Sequence, residues 1–67
     1  MENLKPNTKV IISIDTDDNE LNEFLSEHGN EVVIQHIEDD YFWGKTTTGI
    51  KIPYHMEARD IIEIIVE

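Results

Sequence analysis

The sequence predicts a mainly β domain, a small five-stranded barrel with a short helix or an ordered acidic loop after its first strand. Two observations support this fold class. Five short segments are rich in β-branched and aromatic residues, which is typical of strands. Between the first and the second of these segments, the apolar residues have helical spacing. Because a closed barrel leaves no free sheet edge, closure would protect these β-rich segments from aggregation.

The five predicted strands share a high content of Ile, Val, Thr and aromatic residues. They are Val10–Ile14, Glu31–Ile37, Tyr41–Thr46, Ile50–Ile52 and Ile61–Val66. Turn residues at Glu38–Asp40 and Thr47–Gly49 predict hairpins on either side of the third strand. In the fourth strand, alternation places Ile50 and Ile52 on the same face. The segment Tyr54–Asp60 is long enough for a single 3₁₀ or α turn before the last strand.

The segment Thr16–Asn30 changes to a helical period. Its apolar residues at positions i, i+3 and i+4 are Leu21, Phe24 and Leu25. Asp17 or Asp18 is placed to cap the N-terminus of a helix, and Gly29-Asn30 is a typical C-terminal stop. A helix of one to two turns and an ordered acidic loop both fit this segment. A helix this short is marginal in water, so it would have to pack its apolar residues on the barrel.

Length and composition restrict the classes of function open to the chain. Its 67 residues have a mass of 7.8 kDa and include no Cys, which excludes disulfides and thiolate metal sites. We therefore expect a single domain over residues 1–67, stabilised by a compact apolar core. The sequence has no long apolar run and no apolar N-terminal segment, which predicts a soluble, cytoplasmic protein that is not associated with a membrane.

The net charge of the chain is concentrated in one part of the sequence. Between Val10 and Gly44 there are ten acidic residues and no Lys or Arg, which accounts for the whole formal charge of −10. The acidic residues of this acidic span are Asp15, Asp17, Asp18, Glu20, Glu23, Glu27, Glu31, Glu38, Asp39 and Asp40. This charge opposes direct binding to nucleic acid and favours basic partners. An ordinary solvated exterior fits the pattern equally well.

From Glu38 to Ile65 the sequence resembles the second half of an SH3-like barrel. The matching features, in order, are an acidic turn, an aromatic strand, a glycine turn, a strand ending in proline, a short 3₁₀ turn and an aliphatic strand. The resemblance implies a groove in which acidic residues capture a ligand Arg or Lys and aromatic residues receive polyproline turns. The acidic residues would be Asp15, Asp17, Asp18 and Glu20, and the groove residues would be Tyr41 or Trp43 with Pro53 and Tyr54.

Three consecutive aromatic residues, Tyr41, Phe42 and Trp43, must divide between the two faces of their strand. If Phe42 points inward, Tyr41 and Trp43 lie together outside as possible interface anchors. The opposite phase buries Tyr41 and Trp43. The sequence does not decide the phase, although the small size of the domain favours a Trp43 that completes the core.

No motif in the chain indicates catalysis or a cofactor. His28, His36 and His55 are separated by eight and nineteen residues, which matches no zinc signature. Adjacent carboxylates such as Asp17-Asp18 and Asp39-Asp40 are typical of caps and turns. There is no glycine-rich elbow beside a serine and no phosphate-binding loop. The sequence therefore predicts a protein that is not an enzyme and that holds neither a cofactor nor a metal.

Three functions remain open for a protein that binds without catalysis. The first is an inhibitor or decoy whose carboxylates replace nucleic-acid phosphates in the basic cleft of a nucleic-acid-binding protein. In size and acidity the chain resembles phage inhibitor proteins, including anti-CRISPR and DNA-mimic proteins. The others are an SH3-like interaction module, and an assembly subunit that oligomerises through Val10–Ile14 or Ile61–Val66. We expect a monomer or a weak homo-oligomer. The predicted partner-binding residues are Asp15, Asp17, Asp18, Glu20, Glu23, Glu27, Glu38, Asp39, Asp40, Tyr41, Trp43 and Tyr54.

Overall fold

The computed structural model of the protein describes residues 4–65, which form five strands, one α-helix and one 3₁₀ turn. Along the chain these are β1 (Lys9–Ile12), α1 (Asn19–His28), β2 (Glu31–Glu38), β3 (Tyr41–Thr46), β4 (Met56–Glu57), the 3₁₀ turn (Ala58–Asp60) and β5 (Ile61–Ile65). The strands form one antiparallel sheet in the order β4-β3-β2-β1-β5. The prediction of a mainly β domain of five strands is confirmed, and of the two alternatives after the first strand, a helix and an ordered loop, the chain forms the helix.

The two edge strands of this sheet follow each other along the chain. Strands β4 and β5 lie at opposite edges, yet only the three residues of the 3₁₀ turn separate them. A flat sheet would place its first and fifth strands about 19 Å apart, whereas the four steps from Glu57 to Ile61 span at most about 14 Å. The sheet must therefore coil strongly. Within residues 4–65 no ladder pairs β4 with β5, so the sheet is open along this line.

Helix α1 is capped at both ends and buries its apolar face. The Asp18 carboxylate accepts hydrogen bonds from the N–H groups of Glu20 and Leu21, at 3.1 and 3.2 Å. Gly29 ends the helix at a φ of 105°, which favours glycine, and its N–H donates to the Leu25 carbonyl at 2.8 Å. Leu21 and Leu25 are buried. The helical interpretation is thus correct, and the helix of ten residues is longer than the predicted one to two turns.

The core lies between the inner face of the sheet and the helix. It consists of Val10, Ile12, Leu21, Leu25, Val32, Ile34, Phe42, Ile52 and Met56. The buried polar residue Thr46 has its hydroxyl 2.8 Å from that of Thr48, and it accepts a hydrogen bond from the Ile50 N–H at 3.1 Å. This pairing satisfies the buried hydroxyl and fixes the turn after β3.

The predicted fourth strand is wrong. Within Ile50–Ile52, the only residue in the ladder is Lys51, which forms an isolated bridge with Lys45. Pro53 follows immediately and has no N–H to donate, so the pairing cannot continue. The fourth strand is instead β4, inside the segment predicted to hold only a turn. Ile52 is buried and Ile50 is exposed.

The other predicted strands agree with the structure apart from their ends. The bounds of β3 are as predicted, and β2 extends one residue further, to Glu38. Strand β1 ends at Ile12, because the chain turns where the Ser13 hydroxyl accepts a hydrogen bond from the Asp15 N–H at 3.1 Å. Strand β5 runs to Ile65, and the predicted end at Val66 lies outside the described residues.

Candidate protein-interaction surfaces

Helix α1 presents a stripe of carboxylates on the side away from the core. The acidic stripe consists of Glu20, Glu23 and Glu27, which are all exposed. Their spacing of three and four residues places them on one helix face, and seven residues of rise make the stripe about 10 Å long. The opposite face holds the buried Leu21 and Leu25. The packing of the helix on the sheet therefore directs these three predicted site residues to solvent.

Ion pairs within residues 4–65 neutralise little of the acidic span. In the part of the chain from residue 4 to residue 65, only Asp17 and Glu38 of this span form ion pairs. Asp17 pairs with Arg59 at 3.0 Å, and Glu38 lies 3.7 Å from His36, which is a partner only when protonated. The carboxylates of the acidic stripe have no cationic partner within these residues, and their charge is available to another molecule.

Arg59 connects the loop before α1 to strand β4. Its Nε donates to the Glu57 carboxylate at 2.8 Å and its Nη2 donates to Asp17 at 3.0 Å. The hydrogen bond and charge of Glu57, and then the charge of Asp17, raise the pKa of Arg59 above its ordinary value. The guanidinium therefore stays charged and anchors the acidic loop to the sheet edge.

Beside this anchor lies an acidic cavity of about 170 Å³. Its lining consists of Thr16, Asp17, Asp18, Leu21, His55, Glu57 and Asp60. Partial burial, followed by the charges of Glu57 and Asp17, raises the pKa of Asp60 above its ordinary value, although Arg59 acts in the opposite direction. Asp18 is already engaged as the helix cap. These carboxylates repel one another, and it is Arg59 that joins the loop to the 3₁₀ turn through Asp17.

The outer face of strands β2, β3 and β4 carries an ordered grid of side chains. Residues paired across antiparallel strands share a face, so Glu38 and Glu57 flank Tyr41 on its two sides. One row further along, His36 pairs with Trp43, and their ring centroids are 5.5 Å apart. His55 lies on the other side of Trp43, at 6.3 Å. We call these six residues the aromatic face: Glu38, Tyr41, Glu57, His36, Trp43 and His55.

On strand β3 it is Phe42 that faces the core, whereas the small size of the domain favours a buried Trp43. Phe42 is 0% exposed and lies in the core, whereas Tyr41 is 41% exposed and Trp43 is partly exposed. The prediction of a Trp43 that completes the core is wrong. On the inner side Phe42 pairs with Met56 of β4, which is also 0% exposed. The neighbouring Gly44 lies so close to β2 that an added Cβ would meet the Val33 carbonyl oxygen at 2.3 Å.

A third row on the same outer face is basic. Lys45 pairs with Val33 on one side and bridges Lys51 on the other. Both lysines are exposed. The outer face therefore changes from carboxylates around Tyr41, through imidazoles around Trp43, to ammonium groups around Lys45.

Tyr54 does not belong to the aromatic face. Its ring packs edge-on against Phe24 of α1, with centroids 6.1 Å apart, and its hydroxyl donates to the Glu20 carboxylate at 3.3 Å. Burial, and then the charge and hydrogen bond of Glu20, raise the pKa of Tyr54. The ring of Tyr54 thus contacts α1, and within the described residues no ring contact joins it to Tyr41 or Trp43. His55 contacts Tyr41 instead, at 4.9 Å, and the two rings with Trp43 line a depression of about 190 Å³.

The remaining predicted site residues lie in turns. Asp15 is exposed in the loop before the helix. Asp39 and Asp40 form the exposed β2–β3 turn, where Asp39 has a φ of 52°, and the Asp40 carbonyl accepts a hydrogen bond from the Ala58 N–H at 3.1 Å. Three members of the aromatic face, His36, His55 and Glu57, are not among the predicted site residues. Alternation along β2 could have linked His36 to Glu38, but no local signal links His55 and Glu57 to β3.

The sheet edge offers a second apolar surface. Strand β1 lies between β2 and β5, so the prediction that Val10–Ile14 forms a free edge is wrong. Strand β5 is an edge strand, in which Ile62 is 66% exposed and Ile64 is 42% exposed. Ile14, after β1, is also exposed.

Across residues 4–65, no His, Asp and Glu side chains form a group of three or more that could hold a metal ion. Among the helices that the structure describes, none has the length and apolar character required to cross a membrane. Comparison of the chain with protein-family models, curated proteins and solved structures found no match.

Proposed function

We propose that the chain is a non-enzymatic, cytoplasmic binding protein that occupies the basic nucleic-acid-binding surface of a partner protein and so acts as an inhibitor or decoy. The observation that carries this proposal is the acidic stripe of Glu20, Glu23 and Glu27, which is exposed and has no cationic partner within residues 4–65. Unneutralised charge of one sign steers a partner of the opposite sign and raises the rate of encounter.

The dimensions of the acidic stripe support the comparison with nucleic acid. Its three carboxylates lie along about 10 Å of helix axis. One strand of duplex DNA carries a phosphate about every 3.4 Å along the axis, which gives about three charges over the same length. A basic cleft that accepts a phosphate strand would meet a similar number of charges on α1.

The proposal includes an SH3-like barrel as the scaffold. Two features of the sheet support it: the strand order, with the first strand between the second and the fifth, and the 3₁₀ turn that joins the two edge strands. The strong coiling that this short connection requires is the geometry of a small barrel. In this scaffold α1 is an insertion after β1, and its acidic stripe lies outside the sheet.

An interaction module is the second candidate function, and the aromatic face favours it. Tyr41 and Trp43 both lie on the outer side of β3, where aromatic side chains serve as interface anchors. Under this alternative, the aromatic rings provide most of the affinity and the carboxylates set the orientation of the partner.

A salt-graded capture experiment tests the proposed function. The chain is immobilised, exposed to a lysate of its source cells, and washed at rising salt with and without duplex DNA. We expect a nucleic-acid-binding protein that elutes below about 0.5 M salt, where the Debye length falls to about 4 Å, and that DNA displaces. A partner that is retained unchanged at that salt and in the presence of DNA would contradict the decoy.

Two variants with the same net charge provide the control. E20Q/E23Q/E27Q removes the acidic stripe, whereas E2Q/E63Q/E67Q removes three acidic residues outside the acidic span. We expect the first variant to lose the partner and the second to retain it. Equal loss in both would mean that total charge, rather than the acidic stripe, determines binding.

A further inference from the structure

We propose that the aromatic face binds an arginine side chain from a basic segment of a protein partner. In this arrangement the guanidinium lies over Tyr41 and beside Trp43, and a carboxylate at the acidic end of the face accepts its hydrogen bonds. The inference rests on the proposed function only in that the partner is basic, and it names the residue type that this second surface selects.

The register of the sheet builds the site. Glu38 and Glu57 are the cross-strand neighbours of Tyr41 on β2 and β4, so the ring lies between two carboxylates. The Glu38 side chain is 67% exposed and the Glu57 side chain is 31% exposed. A cation above the ring of Tyr41 would therefore meet both an aromatic face and a carboxylate, and each of these attracts it.

One of the two carboxylates beside Tyr41 already binds a guanidinium within the protein. Glu57 accepts a hydrogen bond from the guanidinium of Arg59 through Oε2 at 2.8 Å. Glu38 has no such partner within the described residues except His36, at 3.7 Å and only when that imidazole is protonated. The carboxylate on the β2 side of Tyr41 is thus the one open to an incoming guanidinium.

Size and charge exclude small-molecule ligands and anionic groups from the depression beside Tyr41 and Trp43. Its volume of about 190 Å³ is below the 300–1,000 Å³ of small-molecule pockets, and it suits one side chain. The carboxylates of Glu38 and Glu57 repel phosphate and carboxylate groups. A lysine carries the same charge as an arginine, but its ammonium is compact and strongly hydrated, whereas a guanidinium is planar and stacks on aromatic rings.

Two peptides with equal charge test the selection of arginine. Each has twelve residues with four cationic residues spaced by Gly and Ser, all arginine in one and all lysine in the other. Trp43 is the sole tryptophan, so its fluorescence reports binding at the aromatic face directly. We expect the arginine peptide to bind about two- to fivefold more tightly, because a guanidinium stacks on the rings and donates through a planar fork to a carboxylate, whereas an ammonium does neither. Equal affinities would overturn the proposal.

A pair of single variants locates the site. Glu38→Gln removes one charge from the aromatic face, and Glu23→Gln removes one from the acidic stripe. We expect Glu38→Gln to weaken the arginine peptide about fivefold and Glu23→Gln to weaken it less than twofold. Equal weakening would overturn the proposal by showing binding to charge alone. Neither result alters whether a captured partner is displaced by DNA, so failure of this inference is distinguishable from failure of the decoy.

Discussion

Because Phe42 and Trp43 lie on opposite faces of strand β3, we predict different losses of stability when each is replaced. Phe42 lies in the core at 0% exposure, whereas Trp43 lies on the outer face against His36 and His55. Truncation of each residue to alanine should therefore have very different effects on the free energy of unfolding. The larger ring should be the one that the protein can lose.

The expected magnitudes follow from burial. Removal of a buried Phe costs about 3–5 kcal/mol, from lost apolar transfer and from the cavity left behind. For 67 residues the total free energy of unfolding is about 3–10 kcal/mol, so Phe42→Ala removes from about a third of it to all of it. Trp43→Ala leaves the core intact and loses ring contacts and strand propensity on the outer face, which amounts to about 1 kcal/mol.

Urea denaturation followed by far-ultraviolet circular dichroism measures both effects without depending on the tryptophan signal. We expect Trp43→Ala to unfold cooperatively with a slightly lower midpoint. Phe42→Ala should have a much lower midpoint or no cooperative transition. A Trp43→Ala variant that is destabilised as much as Phe42→Ala would refute the assigned phase, and with it the aromatic face.

Three further predictions concern the framework that positions these surfaces. Gly44→Ala should lower the free energy of unfolding by about 3 kcal/mol in thermal denaturation, because the new Cβ would lie 2.3 Å from the Val33 carbonyl oxygen. The control Gly49→Ala should cost about 1 kcal/mol, because a Cβ there meets no atom within 4 Å and only the φ of 95° is unfavourable. Equal losses in the two variants would contradict the close approach of Gly44 to β2. Asp18→Ala should cost about 1 kcal/mol and reduce the helical circular dichroism signal, since two N–H groups lose their acceptor; an unchanged midpoint would show that the cap does not stabilise α1. The pKa of Asp60 is raised in the folded state, so its ionisation opposes folding, and stability is lost as the pH rises through the folded pKa. Asp60→Asn should therefore stabilise the protein at neutral pH, by no more than about 0.5 kcal/mol, with the difference vanishing in acid; a variant less stable than the parent at pH 7 would contradict this sign.

The elements with strong local signals could be predicted from the sequence. The cap at Asp18, the stop at Gly29 and the spacing of Leu21 and Leu25 act within a few residues of one another, and each has the predicted role. The hairpin at Asp39-Asp40 is another local signal, because short polar side chains tolerate the positive φ that Asp39 adopts.

Features set by contacts distant in sequence could not be predicted. Alternation requires that Phe42 and Trp43 face opposite sides, but the choice of side depends on long-range packing, in which Phe42 lies opposite the buried Met56 of β4. The pairing of Tyr41 with Glu57 crosses sixteen positions, and Pro53 interrupts any pattern that would connect the two segments. Tyr54 packs on α1 rather than beside Tyr41, because the chain between β3 and β4 carries it across to the helix.

A decoy requires the acidic stripe to occupy the surface on which a basic partner holds nucleic acid. The most direct measurement is a gel-shift titration, in which the captured partner is bound to labelled duplex DNA and increasing amounts of the chain or of E20Q/E23Q/E27Q are added. We predict that the parent chain releases free DNA and that the variant does not. A slower-migrating complex that contains partner, DNA and chain together would show that the two bind different surfaces, and would contradict the account.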